Sequence, residues 1–175
     1  CYANALEMGA GIVVMLHPDY QYDPKLIPEM VGPILAGKAD MVLGSRMSSG
    51  MDAVKNGMPL YKYVSNRFLP AAENMALGQK LSEFHTGYRA YSANLLETIP
   101  FRNNSDGFVF DTEVIVQAVA FGFRIAEIPC PARYNRDCSS IGFGRSVAYG
   151  TRTILTLLKY ILFKAGLYTA AIFKR

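Results

Sequence analysis

Ile12 to Leu16 is an unbroken apolar run in which Ile12, Val13 and Val14 are β-branched, the composition of a strand covered on both faces. Gly9 and Gly11 precede it and stop a short helix expected over the opening residues. Polar residues follow at once, with His17, Asp19 and Gln21 in alternation. A strand covered on both faces calls for a crossover connection and a parallel sheet. The next residues supply the crossover. Asp23 is placed to cap a helix whose first position is Pro24. Leu26, Ile27, Met30 and Ile34 make its apolar face, and it should stop near Gly37. Ala39 to Arg46 then reads as a second buried strand running into the turn at Gly44, so a strand–helix–strand unit closes within about 35 residues.

The remaining pattern continues this α/β alternation. Residues 47 to 59, rich in Ser, Gly, Asn and Met, form a loop long enough to serve as a functional lid. A helix is predicted over 60 to 77, a strand and turn over 81 to 90, and a short helix over 92 to 98. A longer helix over 111 to 121 turns Val114, Ile115, Ala118 and Val119 inward and ends at Gly122. Phe123 to Pro129 alternates with period two, as a strand with one covered face should, and Pro129 with Pro131 forces an extended exit. The fold class is therefore α/β, with a mixed, mostly parallel sheet and flanking helices. At 175 residues, 51% hydrophobic and 18% charged, the chain has the size and core of one domain, and disorder is excluded.

The formal charge of +4 is dispersed except near the C-terminal end, where no acidic residue follows Asp137. That asymmetry points to an anionic surface or substrate, and no nucleic-acid partner is expected. Residues 146 to 175 read as a basic amphipathic helix carrying Arg152, Lys159, Lys164, Lys174 and Arg175. Its uncharged runs are shorter than the roughly 18 residues of a spanning helix, so it is expected to lie on a membrane surface. The alternative is that Ile154, Leu157, Leu158, Ile161 and Leu162 simply pack on the domain. Cys1, Cys130 and Cys138 form no disulfide framework and no CxxC pair, which fits a reducing, cytosolic setting. The opening residues have neither a leader pattern nor an initiator methionine and are expected to begin in mid-domain.

His17, Asp19 and Gln21 project on one side at the carboxyl end of the first strand, where ligands of open α/β sheets bind. Such an oxygen-rich trio suits Mg²⁺ or Mn²⁺ bridging a diphosphate, with His17 favouring Mn²⁺. Equally, Asp19 can cap a turn and nothing more. His85 can hydrogen-bond a sugar or phosphate, act as a base near neutral pH, or be structural. Asp111 and Glu113 start a helix, where its dipole stabilises carboxylates without any function.

Five segments together resemble family-2 glycosyltransferases of the dolichyl-phosphate-mannose synthase-like branch. His17-Pro18-Asp19-Tyr20-Gln21 is similar to that family's metal-binding DxD element, with His17 in place of the first Asp. Gly44-Ser45-Arg46, the run Phe84 to Tyr91, the run Phe108 to Glu113 and the run Gly122 to Pro129 follow in the family's order and spacing. The family's N-terminal strand with its Pro-x-x-Asn-Glu segment has no counterpart here. The resemblance implies a GT-A fold, with residues 1 to 145 the C-terminal part of the catalytic domain. It implies an inverting transfer of sugar from a nucleotide-diphosphate donor to a polyprenyl (dolichyl or undecaprenyl) phosphate, or to a glycan or lipid hydroxyl; the rival reading is a non-catalytic truncated fragment with a membrane- or partner-binding tail. Asp19, Gln21 and His17 would hold the metal, and Arg46, beside Ser45, would contact an acceptor phosphate. Lys62 falls near a second cation position, though an ordinary surface lysine fits as well. Glu113 or Asp111 would serve as base for a hydroxyl acceptor, and His85 would line the acceptor side. Ser139 and Ser140 lie where relatives carry a Gly-x-Ser-Lys loop, whose missing lysine Arg133 or Arg136 would replace. The implied setting is peripheral, at the cytoplasmic face of a membrane.

Overall fold

The computed structural model describes residues 1–19, 21–46, 60–131 and 143–174, except for the side chains of residues 60–67, 143 and 145. Helix α1 (Tyr2–Glu7) leads into β1 (Ile12–Met15). A 3-10 turn (Pro24–Leu26) and α2 (Ile27–Leu35) lead into β2 (Met41–Ser45). There follow α3 (Leu60–Leu77), β3 (Arg89–Ser92), α4 (Ala93–Thr98), α5 (Phe110–Ala120), β4 (Ile125–Pro129) and α6 (Phe143–Lys164). The expected cap and stop are in place: Asp23 accepts from the Lys25 N–H at 2.9 Å and Gly122 ends α5 at φ 79°; Ser92 adds a cap of its own, accepting from the Leu95 N–H at 3.2 Å.

The sheet order is β1-β3-β2-β4, mixed and mostly parallel as expected. β2 and β4 pair in parallel, but β3 is inserted antiparallel between β1 and β2. Three strands thus share a direction while the first strand–helix–strand crossover steps over a neighbour. β2 is buried at all five positions, as its sequence predicts; β1 is only half-buried, because it is the edge of this sheet. Residues 81 to 88, read as strand and turn, contain no regular element, and only Arg89–Ser92 joins the sheet.

Alternation along β2 and β3 sorts the core into two layers. Met41, Leu43 and Tyr91 face Val114, Ile115 and Ala118 of α5 and Leu157 and Tyr160 of α6. Val42, Ala90 and Tyr88 face Met30 of α2, together with Tyr22 and Cys130. A surface clasp aligns β2 with β4. Arg124 donates to both carboxylate oxygens of Asp40 at 3.0 and 3.1 Å, and these bonds hold the Asp40 carboxyl below its ordinary range.

The C-terminal helix does not run to Arg175. It closes at Lys164, and Gly166 (φ 71°) reverses the chain so that Ala170, Ile172 and Phe173 are buried in the core. Phe173 stacks on Phe163 at 4.5 Å, and Gln117 donates to the Ile172 carbonyl at 2.7 Å. The reason is compositional: Ala170, Ile172 and Phe173 give the tail an apolar face of its own. On α6, Thr153, Thr156, Leu157 and Tyr160 face the core, whereas Ile154, Leu155, Leu158, Ile161 and Leu162 are exposed. Leu157 therefore packs on the domain as one reading had it, and its four apolar companions in that reading do not. Among the described residues no helix is long and apolar enough to cross a membrane.

Candidate functional site

The carboxyl ends of β1, β2 and β4 and the residues entering antiparallel β3 all lie at one end of the sheet. Ser45 and Arg46 leave β2 there, the His17–Gln21 segment leaves β1, and residues 84 to 88 run between them. Because 81 to 88 is irregular, its backbone groups need partners outside a ladder. Side chains provide them. Asn74 of α3 brackets Leu81, donating to its carbonyl at 2.7 Å and accepting from its N–H at 2.8 Å. Glu127 of β4 accepts from the Ser82 N–H at 2.8 Å and the Glu83 N–H at 3.0 Å. The Thr86 hydroxyl donates to the Gly44 carbonyl at 2.6 Å.

Arg89 is the pivot of this turn. Its side chain is fully buried and donates to the carbonyls of Thr86 (2.8 Å), Phe84 (3.0 Å) and Asp111 (2.8 Å), with the Asp111 carboxylate at 3.7 Å. A planar guanidinium with five donors spread over three nitrogens can hold three carbonyls in different directions at once. Arg89 thus ties the first turn of α5, and with it Asp111, to the same end of the sheet.

Arg46 is held as firmly. Its backbone N–H donates to Glu83 Oε2 and its Nε to Glu83 Oε1, each at 2.7 Å, while Nη2 contacts both Glu83 Oε1 and the His85 carbonyl. Glu83 is completely buried and Arg46 is 12% exposed, so the pair is desolvated and its geometry fixed. Beside it the Ser45 and Ser82 hydroxyls lie 2.6 Å apart.

The first-strand segment reaches this cluster through two contacts. The Tyr22 hydroxyl accepts from the Gly87 N–H at 3.2 Å, and burial raises that phenol above its ordinary range while nearby Arg46 opposes the rise. His17 lies against Gly87: a Cβ at position 87 would stand 2.3 Å from His17 Cδ2, so a larger residue there would displace the ring. Gly87 serves close approach here and has no left-handed φ. Asp19 Oδ1 accepts from the Gln21 N–H at 3.1 Å, an Asx turn that orients the carboxylate. Among the described residues no three His, Cys, Asp or Glu side chains converge as a metal cage. The donor set offered is one carboxylate, one amide oxygen and one imidazole. That set fits a hard divalent ion whose remaining ligands are diphosphate oxygens and water.

The structure therefore brings His17, Ser45, Arg46 and His85 around one turn, places the Asp19–Gln21 turn between His17 and Tyr22, which both touch Gly87, and ties Asp111 to the same end of the sheet. Glu113 is directed elsewhere: its carboxylate is 4% exposed and accepts from the Ser105 N–H at 2.8 Å and hydroxyl at 3.0 Å. Lys62 sits on α3, its side chain outside the described residues, and Arg133, Arg136, Ser139 and Ser140 lie outside them altogether. Sequence reasoning missed Glu73, Glu83, Glu127 and Tyr149. A signal existed for Glu73, which falls on the buried stripe of α3 with Pro70 and Leu77.

Comparison with known proteins gives a consistent result. Residues 6–99 match the family described as Glycosyl transferase family 2. The low-salt glycan biosynthesis hexosyltransferase Agl6 of Haloferax volcanii is 32% identical over 130 residues, covering 73% of this chain and 30% of that protein. The UDP-N-acetylglucosamine–dolichyl-phosphate N-acetylglucosaminyltransferase of Methanococcus voltae is 28% identical over 155 residues, 89% of this chain and 60% of that protein. The chain thus spans only part of the length of these relatives. Among solved structures, glucosyl-3-phosphoglycerate synthase of Mycobacterium tuberculosis in complex with Mn²⁺, UDP and phosphoglyceric acid superposes with a TM-score of 0.60 at 20% identity. That match covers 91% of this chain and 52% of the other, and it establishes likeness of fold.

Proposed function

Since the chain belongs to glycosyltransferase family 2, with its fold of the GT-A type, we propose that it transfers a sugar from a nucleotide-diphosphate donor to a polyprenyl phosphate with inversion. The observation that carries this reading is the convergence of the Asp19 segment, the Ser45–Arg46 corner and the turn at Gly87 at one end of the sheet. Asp19, Gln21 and His17 would hold Mn²⁺ or Mg²⁺ there. The ion would act as a Lewis acid on the departing diphosphate. Opposite it, Arg46 is oriented by Glu83 before any acceptor arrives, and a preorganised guanidinium matches a phosphate. A phosphate acceptor is already an anion, so no general base is required. For a hydroxyl acceptor the base would be Asp111, 29% exposed, since Glu113 is occupied by Ser105. Relatives named for dolichyl-phosphate and undecaprenyl-phosphate transfer support the phosphate.

The deciding assay follows sugar transfer to undecaprenyl phosphate and to undecaprenol, using this chain and a version lengthened upstream. Transfer to the phosphate only is expected. Arg46→Ala should lower kcat/KM for the acceptor by roughly 50-fold. Undiminished activity in that variant would remove Arg46 from the acceptor site, and preference for the alcohol would favour the Asp111 mechanism.

A lipid acceptor places the protein at a membrane, and α6 offers the contact, in a setting we take to be the cytoplasmic face. Its exposed Ile154, Leu155, Leu158, Ile161 and Leu162 lie opposite the core-facing side, flanked by Arg152 and Lys159, and the helix carries no acid. Apolar residues edged by cations suit an anionic lipid surface. Flotation with vesicles containing anionic lipid should recover the wild type, and Ile154→Asp with Leu158→Asp should cut recovery several-fold. Equal recovery of both would reject this contact.

A further inference from the structure

Behind the acceptor corner, four side chains from three helices and the turn form a line the proposed reaction does not use. Glu73 of α3 is completely buried, and neither of its carboxylate oxygens has an aligned hydrogen-bond donor among the described residues. His85 Nε2 lies 3.1 Å from Oε2, and it too has no aligned hydrogen-bond partner among the described residues. On the other side of the ring, His85 Nδ1 is 2.5 Å from the Tyr149 hydroxyl of α6, and that hydroxyl is 3.0 Å from Thr112 Oγ1 of α5. The two rings meet edge-on, at 83° and 5.2 Å between centroids. A carboxylate can only accept, so the ring proton belongs on Nε2, facing Glu73, and Nδ1 is left to meet the phenol. A carboxylate withdrawn from water beside one imidazole is costly. Here it fixes the ring, and through the ring the backbone of residue 85, whose carbonyl accepts from Arg46.

We propose that Glu73, His85 and Tyr149 are positioning residues, a network that sets the Arg46 guanidinium for its anionic ligand and links it to α6. This rests on the phosphate-acceptor reading above. With Nδ1 bonded to Tyr149, Nε2 turned to the buried Glu73 carboxylate at 3.1 Å and its side chain 11% exposed, His85 acts through Arg46 and does not itself take a proton from an acceptor. Tyr149 lies on the helix whose opposite side carries the exposed apolar residues, so the network joins the membrane-facing element to the phosphate-facing one.

The network is tested in two independent arms on the 175-residue chain. The first reads the imidazole directly by ¹⁵N NMR. The protein has only two histidines, and a His17→Asn variant assigns the signals. His85 is expected to carry its proton on Nε2, with the Nδ1 signal moving in Tyr149→Phe; a neutral Nδ1-protonated ring in the wild type would overturn the network. The second arm titrates farnesyl phosphate. Tyr149→Phe and Glu73→Leu should weaken its binding roughly tenfold. Glu73→Gln, whose amide oxygen can take the same place beside Nε2, should restore binding to within about threefold, and UDP-sugar binding should be unchanged throughout. Folded Tyr149→Phe protein with wild-type affinity for farnesyl phosphate would reduce the network to a packing feature and overturn the proposal. If the wild type binds no lipid phosphate, the proposed function falls, and the ring-proton arm still decides whether the network exists.

Discussion

Replacing Arg89 by methionine is expected to destabilise the chain by about 4 kcal/mol, the largest effect of any single substitution considered. The side chain is the common donor to the carbonyls of Phe84, Thr86 and Asp111, all at the end of the sheet where the site is built. Methionine fills much of the volume but donates nothing, so three acceptors lose their partner in a place water does not reach, and the Asp111 carboxylate loses its counter-charge. Arg89→Lys should recover only about 1 kcal/mol, because a single ammonium on a flexible stem cannot meet three carbonyls in different directions. Urea unfolding followed by circular dichroism gives the measurement, with midpoints compared at unchanged slope. A loss below about 1 kcal/mol for methionine would mean that the 81–88 segment is held by the Asn74, Glu127 and Thr86 bonds without Arg89.

Arg89 also marks what could be read from the sequence and what could not. Its motif was visible, but a run such as Phe84 to Tyr91 does not say that it enters an antiparallel strand inserted between two parallel ones. Period and composition report burial, and a strand buried on both faces looks alike in either direction. The buried run of β2 and the caps at Asp23 and Gly122 were legible because each depends on residues close in sequence. β1 was expected to be as buried as β2, yet it forms the sheet edge and is half-buried, since neighbours are assigned by topology. The final helix was read as too long because apolar residues at 170, 172 and 173 continue a helical-looking pattern that the reversal at Gly166 redirects into the core. The site divides in the same way. His17, Asp19, Gln21 and Arg46 stand on short motifs at strand ends and were identifiable. Glu83 and Tyr149 act through partners 37 and 64 residues distant, and no local spacing encodes those pairs. Glu73 stood on the apolar stripe of α3, where a carboxylate has to answer for its burial.

The second large effect separates the two meanings of Asp19. Its Oδ1 accepts from the Gln21 N–H, so the residue is demonstrably part of a turn, and a turn by itself accounts for an aspartate there. Asparagine preserves that bond, because its side-chain carbonyl accepts equally well, while removing the negative charge a hard cation needs. If the metal reading is right, Asp19→Asn should weaken Mn²⁺-dependent binding of a UDP-sugar about 100-fold, close to the loss in Asp19→Ala, with thermal stability nearly unchanged. If the residue only shapes the turn, Asp19→Asn should bind like the wild type and Asp19→Ala should lose about 1 kcal/mol of stability with little change in affinity. Calorimetric titration of the two variants with Mn²⁺ and with Mg²⁺ reads both alternatives. A His17→Asn variant in the same series should shift preference from Mn²⁺ toward Mg²⁺, since it exchanges an imidazole nitrogen for an amide oxygen in the donor set. The contact of His17 with Gly87 makes that comparison clean at the level of the fold, because the ring packs at the surface of the turn and a smaller side chain there creates no buried cavity.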